Sequence, residues 1–124
     1  MAGIPPDFEL RRARANNKDE ARMRHLGDIG GQFVARFREV SPLDHFELLP
    51  QIDVNFRAYI FFKKNRNIAE CEANGTSQDM RDFVYDKLEE FGRGKRNETK
   101  IVFEFDSFEN VQENFEGNYF LRMR

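Results

Sequence analysis

The sequence predicts an α+β fold, in which an N-terminal helix or broken helix precedes a small, mainly antiparallel sheet of three or four strands with helices on one face. Three observations support this prediction. Apolar residues recur at helical spacing in the first third of the chain, they alternate with other residues in the middle, and both patterns return in the last part. The 124 residues include 14 Phe and no Trp, which suits one domain with an aromatic core.

The beginning of the chain differs from the rest in composition. Residues 1–16 contain a Pro-Pro pair followed by a basic cluster, Arg11, Arg12 and Arg14. Charge runs at a chain terminus are usually solvated tails. We therefore expect a flexible basic arm over residues 1–16 and a single α+β domain over residues 17–124.

A helix is expected from Asn17 to Val40, with Asn17 suited to the N-cap. Its apolar residues recur at spacings of three and four and share one face: Met23, Leu26, Ile29, Phe33, Phe37 and Val40. The glycines at positions 27, 30 and 31 weaken it by up to about 1 kcal/mol each relative to Ala. Either the helix breaks there, or another element packs closely against the glycines.

The clearest strand lies within residues 46–63, which are expected to be extended. From residue 54 onward the even positions are apolar, whereas the odd positions mix polar groups with Tyr59 and Phe61. Both aromatic rings are therefore expected on an exposed face of the sheet. Residues 46–52 are the candidate for a fourth strand.

Two helices are expected after this strand. The first runs from Asn67 to Ala73 and stops at Asn74-Gly75, a sequence that favours a left-handed C-terminal turn. The second begins within residues 76–79, where hydroxyl and carboxylate side chains suit a helix N-terminus, and ends at Gly92. A polar loop over residues 93–100 follows.

The last quarter of the chain predicts a strand, a short helix and a final strand. Ile101 to Asp106 alternates, and Ser107 is then suited to cap a short helix. The apolar residues of that helix lie at helical spacing: Phe108, Val111 and Phe115. Gly117-Asn118 turns the chain into a last strand from Tyr119 to Arg124. The alternative for this region is a plain hairpin with a long loop.

Composition restricts the cellular compartment. The single cysteine, Cys71, excludes an intramolecular disulfide, and no apolar signal segment is found near the amino end. The longest apolar run, Ala58 to Phe62, is too short to span a bilayer. We expect a cytoplasmic protein that does not associate with membranes. Its net charge of −2 gives no general preference for nucleic acid.

Few residues suit catalysis, so we predict that the protein is not an enzyme. His25 and His45 are the only histidines, and neither has a Cys or a second His at ligand spacing. No metal site, cofactor or catalytic residue is predicted. Cys71 lies between Glu70 and Glu72, whose charges disfavour a thiolate. The sequence contains neither a nucleophile elbow nor a Walker loop.

A metal-dependent hydrolase is the least favoured alternative. Glu98-Thr99-Lys100 has the Glu-x-Lys form of many metal-dependent nucleases, and Asp53 is a conceivable partner in metal ligation. Such a short match is common by chance. Glu98 suits a turn equally well.

The strongest functional signal is an acidic and aromatic stretch. Between Phe103 and Phe120 the chain carries carboxylates and aromatic rings but no Lys or Arg. Acidic patches accelerate the encounter with basic partners, and aromatic residues among them serve as binding anchors. We predict a small protein-binding module of the inhibitor or immunity type, whose partner is a basic protein such as a toxin, a nuclease or another nucleic-acid-processing enzyme. The predicted contacts define the acidic surface: Asp106, Glu109, Glu113, Glu116 and Tyr119.

The main alternative is binding of RNA or DNA through the loop over residues 93–100. Its cations define the basic loop: Arg93, Lys95, Arg96 and Lys100. Each contact with a phosphate adds salt-dependent affinity, and exposed aromatic rings such as those of Tyr59 and Phe61 stack on bases. Against this alternative, Ile101 to Asp106 lacks the glycine and basic positions of the RNA-recognition-motif signature.

Overall fold

The structure, a computed structural model, describes residues 23–124. It confirms the α+β class, with helices packed on a three-stranded sheet. The predicted arm over residues 1–16 and the predicted N-cap at Asn17 lie outside the described residues. None of the helices within residues 23–124 is both long enough and apolar enough to cross a bilayer.

The first described helix, α1, occupies residues 23–37 and continues through all three glycines without a break. Its buried residues pack on the sheet: Leu26, Ile29, Phe33 and Phe37. Gly30 faces the next strand, since a Cβ there would lie 3.8 Å from the Phe46 ring. This is an ordinary van der Waals distance, and a Cβ at Gly27 or Gly31 would meet nothing within 4 Å, so neither the expected break nor close packing against the glycines is present. Residues 38–40 form a turn, and Val40 is exposed.

Strands β1 (Leu43–Pro50) and β2 (Phe56–Phe62) form an antiparallel hairpin. Phe46 pairs with Ile60, and a register shift between Leu43 and His45 marks a bulge near the start of β1. The segment proposed as a fourth strand therefore belongs to β1, in a sheet that has three strands within the described residues.

Two helices connect the hairpin to the third strand. They are α2 (Asn65–Ala73) and α3 (Thr76–Glu90), and a single 3₁₀ turn, Arg96–Glu98, precedes β3 (Ile101–Ser107). β3 pairs with β2 in parallel, as a helical crossover permits. The sheet is therefore mixed, with strand order β1-β2-β3, rather than mainly antiparallel.

The two faces of the sheet carry separate cores. On the first face, Ala58 and Ile60 of β2 contribute to the larger core, which also includes buried residues of α1, α2 and α3. On the second face, Tyr59 and Phe61 of β2 form a smaller core with Val111. Helices therefore cover both faces of the sheet rather than one.

The second face is covered by two short helices, α4 (Phe108–Asn114) and α5 (Tyr119–Met123). The predicted cap of α4 is present, because the Ser107 hydroxyl accepts a hydrogen bond from the Asn110 amide at 3.0 Å. The predicted last strand is wrong. Asn118 caps a helix instead, accepting a hydrogen bond from the Phe120 amide at 2.9 Å. An alternation over so few residues does not distinguish a strand from one helical turn.

Candidate functional site

The structure places the predicted acidic surface on the second face, along the end of β3 and on α4 and α5. Its five members do not share one environment. Asp106 and Glu109 accept hydrogen bonds from other parts of the chain, and Tyr119 packs against β1. Glu113 and Glu116 are exposed.

Asp106 is an internal anion. Only 9 % of its surface is exposed, and its carboxylate accepts hydrogen bonds from the Ser107 amide at 2.8 Å and the Asn110 side chain at 3.0 Å. The Arg122 guanidinium forms an ion pair with the same carboxylate. A carboxylate held by three groups of its own chain has little capacity left for a partner.

Arg122 belongs to a wider charge network on the second face. Its guanidinium lies 3.7 Å from the Glu104 carboxylate, which also pairs with Arg57 at 3.1 Å. Burial opposes the charged form of Arg122, but the hydrogen bond and charge of Asp106 and the charge of Glu104 outweigh it, so its pKa is raised. These pairs neutralise much of the acidity that the sequence shows near the end of β3.

Glu109 serves the first turn of α2. Its carboxylate accepts a hydrogen bond from the Asn65 amide at 3.0 Å. This amide is one of those that a helix leaves unpaired at its N-terminus, and a negative charge there also complements the helix dipole. Glu109 therefore has a structural role that links α4 to α2.

Glu113 and Glu116 are the exposed carboxylates of the acidic surface. Neither forms a hydrogen bond or an ion pair with any residue in the described range 23–124. Glu116 has a positive φ of 57°, an uncommon backbone conformation for a residue with a side chain. Together with Gly117 it forms the tight turn between α4 and α5.

Tyr119 connects α5 to β1 and is half-buried. Its ring stacks on His45 with the centroids 4.4 Å apart, and it meets Phe61 edge-on at 4.8 Å. Its hydroxyl donates a hydrogen bond to Asp44. These contacts fix α5 against the hairpin and so determine where the next residue points.

Phe120, which the sequence pattern does not distinguish from its neighbours, is 81 % exposed. A groove of about 550 Å³ lies beside it. Its lining includes His45, Glu47, Glu116, Tyr119, Phe120 and Met123. Tyr119 and Phe120 point to different sides in a strand and in a helix alike, so the exposure of Phe120 follows from the packing of Tyr119 on β1 and has no signal in the local pattern.

The basic loop is partly engaged by its own chain. The Arg96 guanidinium donates to Asp82 at 2.8 Å and lies 4.6 Å from the Tyr85 ring centroid. Arg93 lies over the Phe56 ring at 5.2 Å. Lys95 and Lys100 are exposed. Both arginines of the loop therefore have contacts within the chain, although Arg96 is exposed like the two lysines.

The aromatic surface expected for base stacking is absent from the second face. Tyr59 and Phe61 are 6 % and 0 % exposed because α4 and α5 cover them. Burial raises the pKa of Tyr59, and the nearby charge of Glu104 adds to the shift. The exposure predicted for these two rings is wrong, since the alternation pattern gave no sign of a second helical layer.

The residues considered for catalysis are placed as follows. Cys71 is 2 % exposed, and burial, reinforced by Glu70, raises the pKa of its thiol. Glu98 lies in the 3₁₀ turn, while Asp53 lies in the hairpin loop. Within residues 23–124, no group of three or more His, Cys, Asp or Glu side chains is arranged to hold a metal ion.

No family model, curated protein or solved structure matches the chain. The exposed Phe120 and the two unpaired carboxylates, Glu113 and Glu116, form the carboxy-terminal surface.

Proposed function

We propose that the chain is a non-enzymatic protein-binding module whose carboxy-terminal surface binds a basic partner. One observation carries the proposal: Phe120 is 81 % exposed and borders a groove that contains Glu47 and Glu116. A large exposed aromatic ring beside a concave surface is typical of interaction sites.

The physical roles of the three residues differ. Burying a Phe side chain fully in a complex contributes about 1.5–3 kcal/mol, so Phe120 supplies affinity. Glu113 and Glu116 lie on the exposed rim, where charges chiefly accelerate association and disfavour acidic competitors. Because these carboxylates have no partner within the described residues, binding does not first have to break an internal ion pair.

An inhibitor or immunity-type role fits this chemistry. Nucleases and other nucleic-acid-processing enzymes bind phosphates in clefts lined with Lys and Arg, and an acidic surface with an aromatic anchor is complementary to such a cleft. Within this proposal the protein acts in the cytoplasm, where its single thiol remains reduced. The inhibitor role is supported by the chemistry of the carboxy-terminal surface, which combines an exposed aromatic ring with exposed carboxylates.

The test begins with capture of the partner from the native host, followed by reconstitution with the purified partner and measurement of the dissociation constant. Phe120→Ser and the double variant Glu113→Lys/Glu116→Lys are each expected to weaken binding about 10- to 100-fold. Glu109 is left unchanged because it serves the N-terminus of α2. Thermal unfolding checks that each variant remains folded.

The matched control reverses two charges elsewhere. Glu39 and Glu89 are exposed and lie at or just beyond the ends of α1 and α3, the helices of the first face. Glu39→Lys/Glu89→Lys changes the net charge by the same amount but is expected to alter binding by no more than about twofold. If the variants of the carboxy-terminal surface bound the partner as tightly as the wild type, this surface would not be the binding site.

The nucleic-acid alternative has less support, because Arg96 is engaged by Asp82 and the predicted stacking residues are buried. It retains Lys95 and Lys100 as exposed cations. Heparin chromatography separates the two proposals. Strong retention that Lys95→Ala/Lys100→Ala abolishes, without any effect of Phe120→Ser, would favour nucleic acid over a protein partner.

A further inference from the structure

Strand β1 has an open edge. It pairs with β2 on one side, and no other strand within residues 23–124 pairs with it on the other side. The Gln51 amide donates to the Asn55 carbonyl at 3.3 Å, so the odd residues of β1 after the bulge, at positions 45, 47 and 49, direct their backbone groups toward β2. Phe46 and Leu48 therefore direct their amide and carbonyl groups outward, at the free edge.

Grooves lie on both faces of this edge. The groove on the second face is the one beside Phe120. The groove on the first face, about 570 Å³, lies between β1 and α1 and is lined by the three helix glycines together with Leu26, Val34 and Phe46. A Cβ added to Gly27 or Gly31 would meet nothing within 4 Å, so this side of α1 has unfilled space. Met23, 53 % exposed, lines the same groove.

We propose that a second copy of this chain occupies the edge, with the two β1 strands paired antiparallel about a two-fold axis. The two three-stranded sheets then form one continuous sheet. Such an interface is isologous, so the same residues of both copies must be self-complementary. The sequence of β1 meets this requirement in only one of the available registers.

Three two-fold registers align outward-facing residues with each other: Phe46 with Phe46, Phe46 with Leu48, and Leu48 with Leu48. The second places the two Glu47 side chains directly opposite each other, which is unfavourable. The third places Phe46 opposite Pro50, which has no amide to donate. The first places His45 of each copy opposite Glu47 of the other. Within one chain these two side chains already pair, with His45 Nε2 3.0 Å from the Glu47 carboxylate, so the dimer would extend this pair into a cluster of four groups. Like charge therefore disfavours the second register and the missing Pro50 amide disfavours the third, which leaves the register centred on Phe46. Its outer pair, Asp44 with Leu48, lies at the bulge of β1.

The same symmetry makes use of α1. A two-fold axis perpendicular to the sheet keeps the α1 helices of both copies on the first face, next to the axis. Their glycine sides then approach each other and the edge of the second copy, and small residues permit such close approach. Met23 loses exposure to water in the same contact. The unfilled groove and the open strand edge are explained by one interaction.

Sedimentation equilibrium of the full chain, from low micromolar to millimolar concentration, tests the proposal. The average mass of the wild type is expected to rise from the chain mass of 14.7 kDa toward twice that value. Gly31→Arg, which fills the groove at an exposed position, is expected to abolish the rise. Gln32→Arg is the matched control: it is also exposed on α1, lies outside the groove, and should dimerise as the wild type does.

Charge variants test the register. His45→Glu places like charges opposite each other at two positions and is expected to weaken the dimer about tenfold. His45→Glu/Glu47→Lys restores opposite charges and should restore the dimer. A wild type that stays monomeric up to millimolar concentration would overturn the proposal, as would a Gly31→Arg variant that dimerises normally. The Gly31→Arg outcome is independent of partner binding, because Gly31 lines the groove of the first face. His45 and Glu47 line the groove beside Phe120, so their variants are assessed by the mass of the dimer and not by partner binding.

Discussion

Arg122 of α5 is ion-paired with Asp106 at the end of β3. A helix as short as α5 is not stable by itself, so its position depends on contacts with the rest of the chain. This ion pair and the packing of Tyr119 on His45 hold the two ends of α5 on the sheet. The orientation of Phe120 therefore depends on an ion pair between a helix and a strand, formed by Arg122 and Asp106.

Arg122→Ala is expected to lower the free energy of unfolding by about 2–3 kcal/mol, because it leaves the buried Asp106 carboxylate without its cation. Chemical denaturation measures the loss. Arg124→Ala is the control, since Arg124 is exposed at the end of the chain. Equal stability of the two variants would show that the ion pair does not hold α5.

Glu109→Ala is expected to lower the free energy of unfolding by about 1 kcal/mol, because the Asn65 amide loses its acceptor at the start of α2. Glu113→Ala, one helical turn later and fully solvated, should change stability by less than half as much. A difference in the opposite sense would contradict the structural role given to Glu109.

Phe120→Ser is expected to leave the free energy of unfolding within about 0.5 kcal/mol of the wild type, because the ring contributes little to the described core. Phe115→Ser, which removes a half-buried ring packed on the second-face core, should cost about 2 kcal/mol or more. Urea titration of both variants makes the comparison. A large loss for Phe120→Ser would mean that this ring serves the fold.

The Asp82–Arg96 pair predicts a contribution to acid sensitivity. The hydrogen bond from Arg96 lowers the pKa of Asp82, so the folded state holds this proton less tightly than the unfolded state does. The resulting stabilisation is present above the ordinary aspartate pKa of about 4 and is lost as the pH falls through the lower folded value. Asp82→Asn should therefore reduce the stability difference between neutral pH and pH of about 3, whereas Asp28→Asn, on exposed α1 surface, should not.

Gly27→Ala is expected to raise the free energy of unfolding by about 0.5–1 kcal/mol, because α1 is helical there and a Cβ has open space. Gly94→Ala should have the opposite effect. Gly94 has a φ of +122°, and a Cβ there would lie 2.7 Å from the Thr99 hydroxyl oxygen. Thermal unfolding at a concentration that favours the monomer should show a higher melting temperature for Gly27→Ala and a lower one for Gly94→Ala.

Local patterns predicted much of the fold. The helical spacing of Met80, Val84 and Leu88 identified α3, and the alternation through Ala58 and Ile60 identified β2, because burial on one side imposes these periods. The direction of β3 relative to β2 was not predictable in this way. Alternation is the same in parallel and antiparallel strands, and the helical crossover that decides the direction is a tertiary feature.

The candidate site was less predictable than the fold. Asp106 and Glu116 are both carboxylates next to a phenylalanine in sequence, yet only Asp106 is neutralised, by an arginine on another element. Whether a charge is exposed depends on such partners, which periodicity does not reveal. Phe120 was missed for a related reason: its exposure depends on which side of α5 packs on β1, and one helical turn is too short to give a period.

The mixed sheet has a consequence for the order of folding. Pro50 and Phe56 meet across a short hairpin loop, whereas Phe56 meets Ile101 only after α2 and α3 have been traversed. Closing the longer loop costs about 2 kcal/mol more conformational entropy. On a ribosome the hairpin can form well before β3 has been synthesised. Until then, the backbone groups of β2 on the side of β3 have no strand to pair with. We expect pulse-labelling hydrogen exchange to protect β1 before β3, and simultaneous protection would contradict this sequence of events.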